Sequence, residues 1–228
     1  MVLKLQEVVP FGRSLDEYRR MLALTDDDLR TNILSVADGP ASFNAEMAAL
    51  DRSVVSVDPL YIFPPEEIEA RFYAVVDDIV AQLHATRDNW TWTYHKSPEH
   101  LRANREAPLR RFVADFGGGM AEGRYVAGEL PVLDFADGRF HLALCSHFLF
   151  LYSDHLTYEF HRASVFEMLR VAREVRIFPL LTLMREVSPY LQPLVSELHA
   201  QGYIAGIEKI DYEFQKGGDE MLRIRRPA

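Results

Sequence analysis

The sequence predicts an α/β fold built on a mostly parallel sheet. Three observations carry that prediction. A strand, a tight loop, a helix and a second strand fit between Ile33 and Asp58, the dimensions of a compact parallel crossover. The same alternation resumes after residue 124. The chain then closes with two strand-like runs around Gly217-Gly218-Asp219, a hairpin signal.

Taken in order, Ser14-Leu15-Asp16-Glu17 has capping-box spacing, and Tyr18, Met21 and Leu22 follow on one side, so residues 1–31 are read as short N-terminal helices. Thr25 caps "DDDL" and puts three aspartates in a first turn, where the helix dipole favours them. "NILSVAD" is nearly continuous in apolar residues, as in a strand buried on both faces. "NAEMAAL" is rich in helix formers, and "SVVSVD" is the second strand.

Residues 64–124 are too long for a simple connection and read as a crossover helix plus a helical insertion between the second and third strands. "PPEEIEARFYAVVDDIVAQLHATRD" opens with Pro65, Glu66 and Glu67 and repeats apolar residues at helical spacing. "NWTWTYHKSPEH" is irregular and aromatic, and "PLRRFVADFGGGMAEG" reads as a short helix stopped by its glycines. "RYVAGEL" and "FHLALCSH" are the third and fourth strands, "LTYEFHRASVFEMLRVARE" a helix, and "EVRIFPL" the fifth strand. Ser188-Pro189 opens a last helix that Gly202 closes. No repeat or low-complexity linker divides the chain, so 1–228 is read as a single domain.

Composition narrows the functional classes. The net charge of −9 argues against nucleic acid as a partner, because phosphate contacts need clustered Lys and Arg; the basic stretch Leu101 to Arg111 is read as a solvated helix face. A single cysteine, Cys145, permits no internal disulfide and fits a reducing, cytoplasmic setting. The first residues carry no cleavage pattern of a secretory signal, and no apolar run reaches the ~18 residues needed to cross a bilayer. His155 and His161 lack metal-ligand spacing, and no metal site is expected.

Ligands of open α/β sheets bind at the carboxyl ends of the strands. Asp38, Asp58, Glu129 and His147 all fall at or just after predicted strand ends, and together they outline a crevice. The loop Asp38-Gly39-Pro40-Ala41-Ser42-Phe43 keeps one glycine. Pro40 removes an N–H donor and Phe43 adds bulk, so the loop suits a ligand without a pyrophosphate. Asp58, ending a strand, can accept both hydroxyls of a ribose, a feature shared with NAD-binding folds.

On these residues the chain resembles the class I S-adenosylmethionine-dependent methyltransferase superfamily. "ILSVADGPASFNAE" looks like its first motif, "VVSVDPLY" like its second, and "YVAGELPVLDFADGRFHLALCSHFLFLYSDH" like the segment through its fourth strand. The likeness spans roughly 33–62 and 124–226 and leaves out 64–123. Ala41 and Phe43 replace two of the usual loop glycines, and His141 stands where an Asp is usual. The resemblance implies a three-layer Rossmann-like fold with a seven-stranded sheet ending in an antiparallel hairpin, and S-adenosylmethionine as cofactor. It places Ala37, Asp38, Gly39 and Pro40 by the methionine moiety, Asp58 on the ribose, and Pro59 and Leu60 beside the adenine. Glu129 and Leu130 fall near the adenine amino group, and Cys145, Ser146 and His147 on the methyl-transfer side.

The implied reaction is methyl transfer to a small-molecule acceptor. His147 is the expected base, since an unperturbed imidazole titrates near neutrality. Trp92, Tyr94 and His95, with Trp90, are the expected aromatic wall for the acceptor. Two other readings stand beside this one: a non-catalytic adenosyl-ligand-binding module on the same fold, and an NAD-dependent oxidoreductase, which the poor glycine loop and the terminal hairpin disfavour. Neither the acceptor nor the oligomeric state is legible.

Overall fold

The computed structural model describes residues 9–227; the apolar run at 1–8 lies outside the described residues. Seven strands form one sheet in the order β3-β2-β1-β4-β5-β7-β6. They are β1 (Ile33–Val36), β2 (Val54–Asp58), β3 (Tyr125–Ala127), β4 (Phe140–Ser146), β5 (Ala172–Phe178), β6 (Ile204–Lys209) and β7 (Glu220–Arg225). The first five run parallel, and β7 is antiparallel to both β5 and β6. This is the mostly parallel Rossmann-like methyltransferase sheet with a reversed C-terminal hairpin. The order turns between β1 and β4, which places the switch point beside the carboxyl ends of β1, β2 and β4.

Six α-helices complete the layers: α1 (Leu15–Met21), α2 (Phe43–Ala48), α3 (Pro65–Ala85), α4 (Pro98–Ala121), α5 (Tyr158–Val171) and α6 (Leu191–Ala200). The capping box of α1 forms as its spacing predicts, with Ser14 and Glu17 each taking a backbone N–H of the other. Thr25 does cap the turn that follows, but only a short 3₁₀ segment, Asp28–Arg30, forms there. Its Asp28 is held by the fully buried Arg176 of β5, at 3.0 Å, so the turn serves as an anchor to the sheet.

The largest departure from the sequence reading lies in α4. The chain from Pro98 to Ala121 is one helix of 24 residues that runs through both Pro108 and the glycine run. Pro108 deprives the Asn104 carbonyl of its i+4 donor. The Arg105 Nη1 donates to that carbonyl instead, at 3.2 Å, and the helix continues. Gly119 does not stop the helix: it lies against the Tyr125 ring, where an added Cβ would come within 2.4 Å. α4 packs on α2 and β3, while α3 stacks on α4. The crossover helix is therefore α4, and α3 is the outer element, the reverse of the order the sequence suggests.

The hairpin connection also differs. β6 and β7 are joined by residues 210–219, not by the Gly217-Gly218-Asp219 turn alone, and this loop reaches across to the segment after α3. Thr91 N–H donates to the Phe214 carbonyl at 2.8 Å, and Phe214 stacks on Trp90 with ring centroids 4.8 Å apart. The aromatic stretch is thus tied to the far end of the chain.

Candidate ligand crevice and inner cavity

The Asp58 carboxylate ends β2 and caps the turn that follows. Oδ1 accepts from the Leu60 N–H at 2.9 Å and Oδ2 from the Gly39 N–H at 2.8 Å. One residue therefore ties the β2 end to the β1 loop, and each oxygen keeps lone-pair capacity directed at the crevice. Burial pushes its pKa up to about 6, against the pull of those two N–H donors.

Asp38 plays a different part from the one expected. Its carboxylate accepts from Tyr18, from Ser35 Oγ at 2.6 Å and from Ser56 Oγ at 2.5 Å. Burial raises its pKa, while these hydroxyls oppose the rise. The side chain is a hub under the loop, and it is the backbone above it that faces the ligand space. That backbone bends sharply: Ala37 and Gly39 have φ of 53° and 54°, and Tyr61 Oη donates to the Gly39 carbonyl at 2.7 Å.

These groups line a crevice of about 430 Å³, within the ~300–1,000 Å³ of small-molecule sites. Ala37, Asp38, Gly39, Asp58, Pro59, Leu60, Glu129, Leu130, Ser146 and His147 all border it. Pro40 and Cys145 do not. Pro40 is buried beneath the N-terminal segment, with Gly12 packed so closely that a Cβ there would lie 1.9 Å from the Pro40 oxygen. Cys145 is fully buried within β4, and burial pushes its thiol up to about 12.

Residues 9–13, which carry no periodic pattern, form a strap along the crevice. The Arg13 carbonyl accepts from the Ser42 N–H at 3.1 Å, and the Val9 N–H reaches the Tyr152 hydroxyl at 3.4 Å. Behind the strap lies a second, smaller cavity of about 80 Å³. Val9, Phe11, Arg13 and His147 border both spaces. The inner one is otherwise walled mainly by apolar and aromatic side chains, Trp90, Phe178 and Phe214 among them.

Two expectations about side chains change here. His147 borders the crevice, with Ser146 Oγ 2.9 Å from its Nδ1. Burial first, and then the nearby positive charges of Arg13 and Arg105, hold its pKa well below the usual histidine value. That direction weakens the ground on which it is expected as a base. Trp92, Tyr94 and His95 border neither cavity. Trp92 Nε1 donates to the Arg87 carbonyl, and Tyr94 Oη donates to Asp16 at the surface. His95 is fully buried, 3.0 Å from the Tyr212 hydroxyl, in a cluster where Arg105 pairs with Glu17 at 2.8 Å. Burial and the same two arginines push its pKa down to about 2. Of the aromatic stretch, Trp90 reaches the inner cavity. Trp90 stacks on Phe214 while Trp92 meets the same ring edge-on at 5.6 Å, a difference that local sequence does not reveal.

No family model matches the chain. The uncharacterized protein MJ0045 of Methanocaldococcus jannaschii is 37% identical over 225 residues, covering 98% of this chain and 99% of that one. The chain belongs to the family of that protein. Among solved structures, the PH0226 protein from Pyrococcus horikoshii OT3 superposes with a TM-score of 0.50 at 13% identity, over 93% of this chain and 90% of its own. Magnesium protoporphyrin IX methyltransferase (ChlM) from Synechocystis PCC 6803, solved with bound SAM, gives 0.47 at 12% identity, over 93% and 78%. At these identities the likeness to PH0226 shows the fold alone: an open, mostly parallel Rossmann-like sheet ending in an antiparallel hairpin.

Proposed function

We propose that this protein binds S-adenosylmethionine in the larger crevice and transfers its methyl group to a small-molecule acceptor. The observation that carries the reading is Asp58: a carboxylate at the carboxyl end of β2, beside the switch point, fastened by two backbone N–H groups and open on its other side.

The residues present fit the adenosyl group. Asp58 would accept the ribose hydroxyls. Pro59, Leu60 and Leu130 supply an apolar side for the adenine, with Glu129 toward its amino group. The turn at Ala37–Gly39 would face the methionine part, and Ser146 and His147 the transfer side. Bound there, the cofactor would supply an electrophilic methyl on a sulfonium, which an acceptor lone pair could take up as the carbon–sulfur pair stays with sulfur. The chain's own task is alignment and exclusion of water. His147, being neutral, orients the acceptor by a hydrogen bond and is not asked to remove its proton. The missing pyrophosphate glycines and the buried Pro40 count against NAD.

The test is a thermal shift with S-adenosylhomocysteine on the wild type and on Asp58→Ala. At one hundred times its dissociation constant the ligand should add about 2.7 kcal/mol to the wild type. The variant should stay folded and lose most of that gain. A full gain in folded Asp58→Ala would remove the assignment.

A further inference from the structure

We propose that the inner cavity takes a small apolar acid as the methyl acceptor, bound as its carboxylate on Arg13. The inference rests on the methyl-transfer reading and names the acceptor class for it.

The cavity's walls are apolar and its size is that of one ring: 80 Å³ holds roughly six water-sized groups. Phe214 and Trp90 present stacked rings to one side. Into this setting the strap delivers one guanidinium, Arg13, that has an unpartnered Nε and no carboxylate in direct contact among the described residues. Arg105 also borders the cavity, but its Nη1 is engaged by both Glu17 oxygens, at 2.9 and 2.8 Å. Glu17 is further occupied by Tyr212 and by the Ser14 N–H, so it has little left for a second cation. Arg13 forms no ion pair among the described residues. Its Nη1 donates to the Phe11 carbonyl at 2.5 Å, and its Nε is buried with no hydrogen-bond partner.

An unpaired guanidinium donor in an apolar pocket is costly unless an anion completes it. A planar carboxylate matches its geometry best. Burial first, and then the neighbouring Arg105, lowers the Arg13 pKa to about 10, and the Glu17 carboxylate offsets this only in part. An acceptor that arrives already ionised also suits a site whose histidine is a poor base. The amino-acid tail of the cofactor is the other source of a carboxylate near Arg13, and the experiment separates the two.

The probes are phenylacetate and phenylacetamide, titrated calorimetrically into wild type and Arg13→Met, each saturated with S-adenosylhomocysteine. A third titration compares S-adenosylhomocysteine with 5′-methylthioadenosine, which lacks the tail. The proposal expects phenylacetate to bind wild type at least about tenfold more tightly than the amide, and that preference to vanish in Arg13→Met. The adenosyl ligand should hold its affinity in the variant. Without ligand, Arg13→Met should melt at the wild-type temperature or a few degrees above it, since it removes an unpaired buried charge; Arg13→Gln serves if that variant does not fold. Equal binding of acid and amide, or a preference that survives in the variant, overturns the proposal. So does a variant that levels S-adenosylhomocysteine with methylthioadenosine and leaves the probe ratio intact, because the charge then serves the cofactor tail. No binding of phenylacetate below about 1 mM also overturns it. Failure of S-adenosylhomocysteine to bind wild type at all is a different result and removes the methyl-transfer reading itself.

Discussion

On the proposed reading, Asp58 carries two tasks that pull against each other. It must be ionised to accept strongly from ribose hydroxyls, yet burial raises its pKa to about 6. Adenosyl affinity should therefore be greatest above neutrality and weaken, by roughly tenfold, as the pH falls through about 6, because hydrogen bonds to a charged acceptor are worth more than those to a neutral one. Calorimetric titrations from about pH 5 to 8 check this, and a flat dissociation constant would contradict it. The stability of the free protein runs the other way. A folded pKa above the unfolded value contributes stability that is fully present below about pH 4 and is lost as the pH rises through about 6, and Asp38 is shifted in the same direction. Gly12 offers a second test at this scale. Its Cβ position lies 1.9 Å from a backbone oxygen, which no rotamer can relieve, so Gly12→Ala should cost about 1–3 kcal/mol or more and loosen the strap; a melting temperature equal to wild type would show that the strap is not packed on the Pro40 loop. Asp58 was legible because a carboxylate at a strand end is a local pattern. The role of Gly12 was not, since it depends on a segment that meets it only in the fold.

Among the elements, α4 shows best what local rules miss. Three consecutive glycines and a proline are strong stop signals, yet the helix runs through them: the adjacent Arg105 takes the Asn104 carbonyl that Pro108 leaves, and the Tyr125 ring packs against Gly119. The glycines are not equivalent. Gly117 and Gly118 have nothing near a Cβ, so their replacement by alanine should stabilise the protein by about 0.5–1 kcal/mol each. Gly119→Ala should destabilise it, because the buried ring must move. Denaturant melts of the three variants decide this, and a uniform effect would contradict the packing described. The strands were read closely because a doubly buried strand is a nearly continuous apolar run. The order of α3 and α4 was not, since α3 carries the marked amphipathic pattern of a sheet-covering helix and α4 does not.

For the whole molecule, the arrangement is a cofactor-sized crevice and a ring-sized cavity that share Arg13 and His147 as a common wall. Ten of the positions expected at the site border the crevice, because strand ends and loops mark that region in sequence. Trp92, Tyr94 and His95 border neither space, and their contacts with Phe214 and Tyr212, far along the chain, leave no local mark. Trp90 borders the cavity and Trp92 does not, so acceptor binding should change the intrinsic fluorescence of the wild type and of Trp92→Phe, and leave that of Trp90→Phe unaltered; the converse pattern would return the acceptor to the outer face. The central claim is that the crevice belongs to an adenosyl sulfonium ligand. Parallel calorimetric titrations of the wild-type protein with S-adenosylmethionine, S-adenosylhomocysteine and NAD test it most directly. The account predicts micromolar binding of the first two and none of NAD; micromolar binding of NAD without either adenosyl ligand would contradict it.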